Sequence, residues 1–123
     1  MKTLVLLLTL LWSVGMSSAI AAPQAPGVST PSPDEEEKLD NAIEQFGYVS
    51  GVAFQCTQLN NAPSLEGEVM RVFSGITRLF GSDRAFFYAA AYGAGAITSI
   101  DRDKCADYTR QFQQAIQKTP LNN

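Results

Sequence analysis

Histidine is missing from all 123 residues. Its absence removes the commonest general base and every Ser–His or Cys–His nucleophile pair. It also removes the commonest zinc and haem ligand. Cysteine is scarce, with only Cys56 and Cys105. Two thiols about fifty positions apart, without an imidazole, make a poor zinc site. Basic residues are few and scattered, nine Lys and Arg against twelve Asp and Glu for a net charge of −3. An acidic chain without a basic cluster is set against nucleic acid and anionic membrane surfaces as partners. No glycine-rich loop follows a strand, and no zinc-protease, calcium-loop or Asn-x-Ser/Thr pattern occurs. No residue pattern calls for a metal or a cofactor. Carboxylate chemistry is the one enzymatic route left. The acids gather in the first turns of two helical stretches, where the helix dipole and solubility account for them. The run Asp34 to Glu37 lacks the turn glycine and spaced oxygens of a cation loop. The expectation is therefore a non-enzymatic protein.

The N-terminus carries an apolar run. A single charge at Lys2 precedes Leu4 to Trp12, and Ala19-Ile20-Ala21 supplies a small-x-small pattern. These are the parts of a secretory signal, expected over 1–22 with cleavage after Ala21 or Ala22. The run is shorter than the ~20 residues a span requires, so no membrane attachment is expected after cleavage. No cysteine stands at the cut and no Arg-Arg pair precedes the run, which points to general secretion into a periplasm or beyond. Four of the six prolines follow within 23–33, and 23–32 reads as an extended leader. Two cysteines in an exported chain favour one disulfide, Cys56 to Cys105. Closing a loop of that length is worth up to roughly 4 kcal/mol.

The remainder, 33–118, predicts an all-α domain, a small four-helix bundle-like fold with 119–123 as a frayed tail. Ser32-Pro33-Asp34-Glu35 has serine at the cap, proline at the first helical position and glutamate three residues on. The stripe Leu39, Ala42, Ile43, Phe46, Val49, Ala53, Cys56 predicts a helix over 33–59, with Gly47 and Gly51 its weak points. Asn60 to Pro63 is a turn, and Ser64 caps a second helix. Leu65, Val69, Val72, Phe73, Ile76, Leu79 and Phe80 give that helix the cleanest amphipathic pattern in the chain. Gly81 ends it. A third helix starts at Ser82 or Asp83 and is expected to break at Gly93-Ala94-Gly95. From Ala85 to Ala94 it holds no charge and no wide polar face. A helix apolar all round is usually buried all round, so this one is expected at the centre. Its alanines and Gly93 are expected to meet the small face of Gly47, Ser50 and Gly51. A capping signal at Thr98 to Asp101 opens the last helix, striped with Cys105, Tyr108, Phe112, Ala115 and Ile116. Short connections favour antiparallel neighbours.

One polar constellation stands out. Arg71, Arg78 and Arg84 fall near the junction of the second and third helices, beside Tyr88 and Tyr92 one turn apart. They form a candidate binding surface for an anionic or carboxylate-bearing partner. The leading expectation is an exported protein that acts by binding another protein of that compartment, as an inhibitor, immunity factor or envelope accessory. The sequence sets no oligomeric state. In size, helical content and the spacing of its cysteines, the segment from Cys56 to about Ile116 resembles periplasmic acid-stress chaperones. It is similar in the same architectural way to type VI amidase immunity proteins. The first resemblance implies an alternative, a chaperone that opens as its carboxylates are protonated. A third option is a carrier holding an apolar ligand among Phe86, Phe87, Tyr88 and Tyr92.

Overall fold

A computed structural model describes residues 30–119 and 121; the expected signal and most of the leader lie outside them. Among the described residues four α-helices follow one another: α1 (Pro33–Leu59), α2 (Glu66–Phe80), α3 (Ser82–Ile97) and α4 (Cys105–Lys118). A 3-10 turn, Arg102–Lys104, leads into α4. Among the described residues no helix is long and apolar enough to cross a membrane.

The boundaries follow from local chemistry. The Glu35 carboxylate accepts from the Ser32 backbone N–H at 2.9 Å, closing the capping box, and Pro33 occupies the first turn. Leu65, rather than Ser64, is the N-cap of α2, its carbonyl accepting from the Val69 N–H at 2.9 Å, while the Ser64 hydroxyl just upstream accepts from the Glu66 N–H at 3.2 Å. Gly81 alone joins α2 to α3. It sits at φ +91°, in the region that favours glycine, and donates its N–H to the Thr77 carbonyl while accepting from Ala85. Gly81, rather than Ser82 or Asp83, is thus the N-cap of α3. Asp101, rather than Thr98, caps the last segment, its carboxylate accepting from the Asp103 N–H at 3.1 Å.

Two expectations fail on α3. It does not break at Gly93-Ala94-Gly95 but continues to Ile97. It is also not the central helix: only Ala85, Tyr88 and Gly95 are buried along it. The centre is α1, which buries Ile43, Gly47, Ser50, Gly51, Val52, Ala53, Cys56 and Thr57. The reason is coverage. Helix α1 is packed by α3 on one side and α4 on another. Helix α3 has α1 and α2 for neighbours, and no described element covers its remaining face.

The small faces of α1 and α3 do meet. A Cβ placed on Gly47 would collide with the Tyr88 carbonyl, and one on Gly51 with the Tyr92 carbonyl. The matching glycine on α3 is Gly95, where a Cβ would collide with the Tyr48 carbonyl. Gly93, expected in this contact, faces open space instead. The pairing runs from Asp40 with Arg84, through Gly47 with Tyr88, to Gln55 with Ala96 and Thr98. Residue numbers rise together along both helices, so the most intimate pair in the molecule is parallel. Sequential helices alternate in direction, but the glycines bring α1 and α3 into contact across the bundle. Gln55 Nε2 donates to the carbonyls of Ala96 (2.8 Å) and Thr98 (3.0 Å), satisfying acceptors that the end of α3 leaves open.

The main core gathers Ile43, Val69, Val72, Ile76, Ala85, Tyr88 and Phe112, contributed by all four helices. Phe46 meets Tyr88 edge to face at a centroid distance of 5.7 Å and Phe112 at 6.1 Å. The tail takes part as well. Leu121, expected to fray, is buried in this core and lies against Gly75 of α2. A second cluster surrounds the disulfide Cys56–Cys105, whose Cα atoms stand 5.3 Å apart across a sequence separation of 49. Val52, Ile100 and Tyr108 pack around it. It ties the end of α1 to the start of α4.

Candidate interaction surface

The five polar candidates do not converge. Arg84 turns toward α1, where its Nε meets Asp40 Oδ1 at 2.6 Å with both side chains partly screened from solvent. Arg71 and Arg78 lie exposed on α2. Tyr88 is 1% exposed and offers nothing to an incoming partner. Tyr92 is half-buried and packs against Phe54 at 5.9 Å. The expected arginine–tyrosine surface is therefore not assembled: the one arginine on α3 serves an interhelical ion pair and the first tyrosine serves the core.

The Tyr88 hydroxyl is buried without a hydrogen-bond partner. Ser50 is the polar neighbour that most eases its ionisation, but its own hydroxyl donates to the Phe46 carbonyl at 2.7 Å and closes no bond to the phenol. Burial pushes the Tyr88 phenol up from 10.0 to about 12, with Ser50 opposing and Tyr92 adding to the rise. The Tyr92 phenol is also raised, first by burial and then by Glu66. Both phenols are thereby held in their neutral form. Among the described residues no group of three His, Cys, Asp or Glu side chains is placed to hold a metal ion.

Three concave features among the described residues are shallow. One groove between α2 and α3, about 260 Å³, is lined by Val69, Met70, Phe73, Tyr88, Ala89 and Tyr92. A second of about 270 Å³ lies where Leu39, Phe46, Phe80 and Leu121 approach one another. A third of about 230 Å³ runs between α1 and α4 along Gln45, Val49 and Gln111. All three fall below the roughly 300–1,000 Å³ usual for small-molecule sites.

What the molecule does present is the outer face of α3. At the helical repeat of 3.6 residues, Ala85, Tyr88, Tyr92 and Gly95 fall on the side toward α1 and α2. Phe86, Ala89, Ala90, Gly93, Ala94 and Ile97 fall on the other, and all six are exposed. Phe86 is 68% exposed and Ile97 85%, while Phe87 stands at 37% with its ring 6.5 Å from that of Phe86. From Ala85 to Ile97 no charged side chain interrupts the surface, and its one hydroxyl-bearing pair faces inward. At Ala89 the face continues into the α2–α3 groove, beside exposed Met70. The sequence singles out Phe86 and Phe87 only as the lining of an internal ligand site; it does not reveal the exposed face, because uniform apolarity reads as all-round burial. A signal was present: two stripes, 85-88-92-95 and 86-90-93-97, run along opposite sides of one helix, and a single bundle of four covers only one of them. Compared with known proteins, the chain matches no family model, no curated protein and no solved structure.

Proposed function

We propose that this is an exported, disulfide-locked helical scaffold that acts by docking another polypeptide onto the outer face of α3. The observation that carries the reading is the open, uncharged strip from Phe86 to Ile97. A soluble domain rarely leaves a contiguous apolar surface uncovered unless something binds there. Export is supported by the N-terminal signal pattern and by the Cys56–Cys105 disulfide, a bond that persists in oxidising compartments. The carrier alternative is weakened by the shallowness of the three grooves. The acid-stress alternative requires apolar surface to open on protonation; here the strip is already uncovered, which favours constitutive docking.

Site-directed photo-crosslinking in the export compartment tests this. A photoreactive residue in place of Phe86 or Ile97 is expected to give discrete protein adducts. The same group in place of Gln114 or Gln117, exposed on α4, is expected to give none. An absence of adducts from both α3 positions would end the docking reading.

A further inference from the structure

The outer face of α3 has an internal symmetry. Read from either end it runs large, small, small, small, small, large: Phe86, Ala89, Ala90, Gly93, Ala94, Ile97. A twofold axis passing between Ala91 and Tyr92, perpendicular to the helix, sets Phe86 opposite the partner's Ile97. The same axis sets Ala89 opposite the partner's Ala94, and Ala90 opposite the partner's Gly93. A twofold interface needs this property, since each residue i that meets j must have j meeting i in return. We infer that the occupant of the α3 face is a second copy of this chain, packed antiparallel, α3 against α3, with the small residues at the crossing and Phe86 and Ile97 closing the two ends. This rests on the docking reading above and names its partner.

Three further observations agree. The molecule already joins two helices by this means, with Gly47 and Gly51 of α1 against Gly95 of α3. The face carries no charge, so a copy facing a copy brings no like charges together. The area is also sufficient. With roughly 200 Å² for a fully open large side chain, Phe86, Phe87 and Ile97 leave on the order of 400 Å² open, and the four small residues extend the face to about 500 Å². Fully covered, two such faces bury at most about 1,000 Å², the size of weak and transient contacts, which implies a reversible dimer that forms with rising concentration.

Sedimentation velocity of the exported chain from about 5 μM to about 1 mM, a range that brackets such an affinity, is the test. The mass is expected to rise from one chain toward two. Gly93→Leu fills the crossing at a position where an added Cβ meets nothing within 4 Å of its own fold. Ala90→Glu places like charges across the axis. Each is expected to raise the dimer Kd at least tenfold, with the fold melting no lower than the wild type. A mass that stays at one chain throughout, or a dimer indifferent to both substitutions, overturns the self-pairing. The crosslinking adducts separate this from the docking reading. A mass of two chains supports the pairing. Any other adduct mass refutes the pairing and leaves docking standing, and no adduct refutes both.

Discussion

Gly51 of α1 and Ala96 of α3 are packed backbone against backbone: a Cβ on Gly51 would stand 2.7 Å from the Ala96 amide nitrogen. Nothing but hydrogen fits there. The main-chain atoms cannot yield as a flexible side chain would, so any substituent must push two helices apart.

Gly51→Ala is therefore expected to destabilise the fold by about 2–3 kcal/mol, overpacking outweighing the gain in helix propensity. Gly67→Ala and Gly93→Ala meet nothing within 4 Å and lie within helices. Gly93→Ala, inside α3, is expected to stabilise by roughly 0.5–1 kcal/mol, and Gly67→Ala, in the first turn of α2, by less. Thermal melts of the three variants should move in opposite directions, by several degrees per kcal/mol for a domain of this size.

The disulfide closes a separation of 49 residues and anchors its own cluster with Val52. Reduction, or paired Cys56→Ser and Cys105→Ser substitution, is expected to cost about 3–4 kcal/mol. Denaturant titration with and without reductant measures it. A midpoint unchanged by reductant would show that packing alone holds α4 to α1.

Tyr88 sets an alkaline limit. Its phenol titrates at about 12 in the folded chain against 10.0 ordinarily, so the native state holds a proton that the unfolded chain releases first. The stabilisation is fully present below pH 10 and is lost as pH rises from 10 through about 12, on the order of 2 kcal/mol over the window. Tyr88→Phe removes an unpartnered hydroxyl and keeps the ring contact with Phe46. It is expected to be neutral or mildly stabilising at pH 7 and to flatten the loss above pH 10. Urea midpoints across pH 8 to 12 report both effects.

Leu121 tests whether the tail belongs to the fold. Its side chain is buried among core residues and lies 2.8 Å from where a Cβ on Gly75 would stand. Leu121→Ala is expected to cost about 2 kcal/mol, the low end for a buried leucine because the chain end can relax. Leu121→Asn should cost more. Equal stability of wild type and both variants in chemical denaturation would return the tail to solvent.

Asp40 and Arg84 form a partly screened ion pair at 2.6 Å. Asp40→Asn is expected to cost about 0.5–1 kcal/mol, with the difference shrinking as salt is added.

Local chemistry along the chain was enough for much of the architecture. Ser32 and Pro33 placed the start of α1, Gly81 the end of α2, and the Cys56–Cys105 pairing followed from the cysteine count and the export signal pattern. That glycines on α1 must meet a small face on α3 was also legible, because small residues in mid-helix signal close approach. These features depend on neighbours in sequence, or on one pair of atoms that only a covalent bond satisfies.

Tertiary structure alone decided which side of α3 is covered. An all-apolar helix has no polar edge to mark its outside, so the string DRAFFYAAAYGAGAI is silent on orientation. The partners resolve it: backbone contact with Gly47 and Gly51 turns Tyr88 and Gly95 inward, and Phe86 and Ile97 are left outside by geometry. Arg84 and Leu121 were likewise unreadable, since Asp40 and Gly75 lie far from them in the chain and only the fold brings them together.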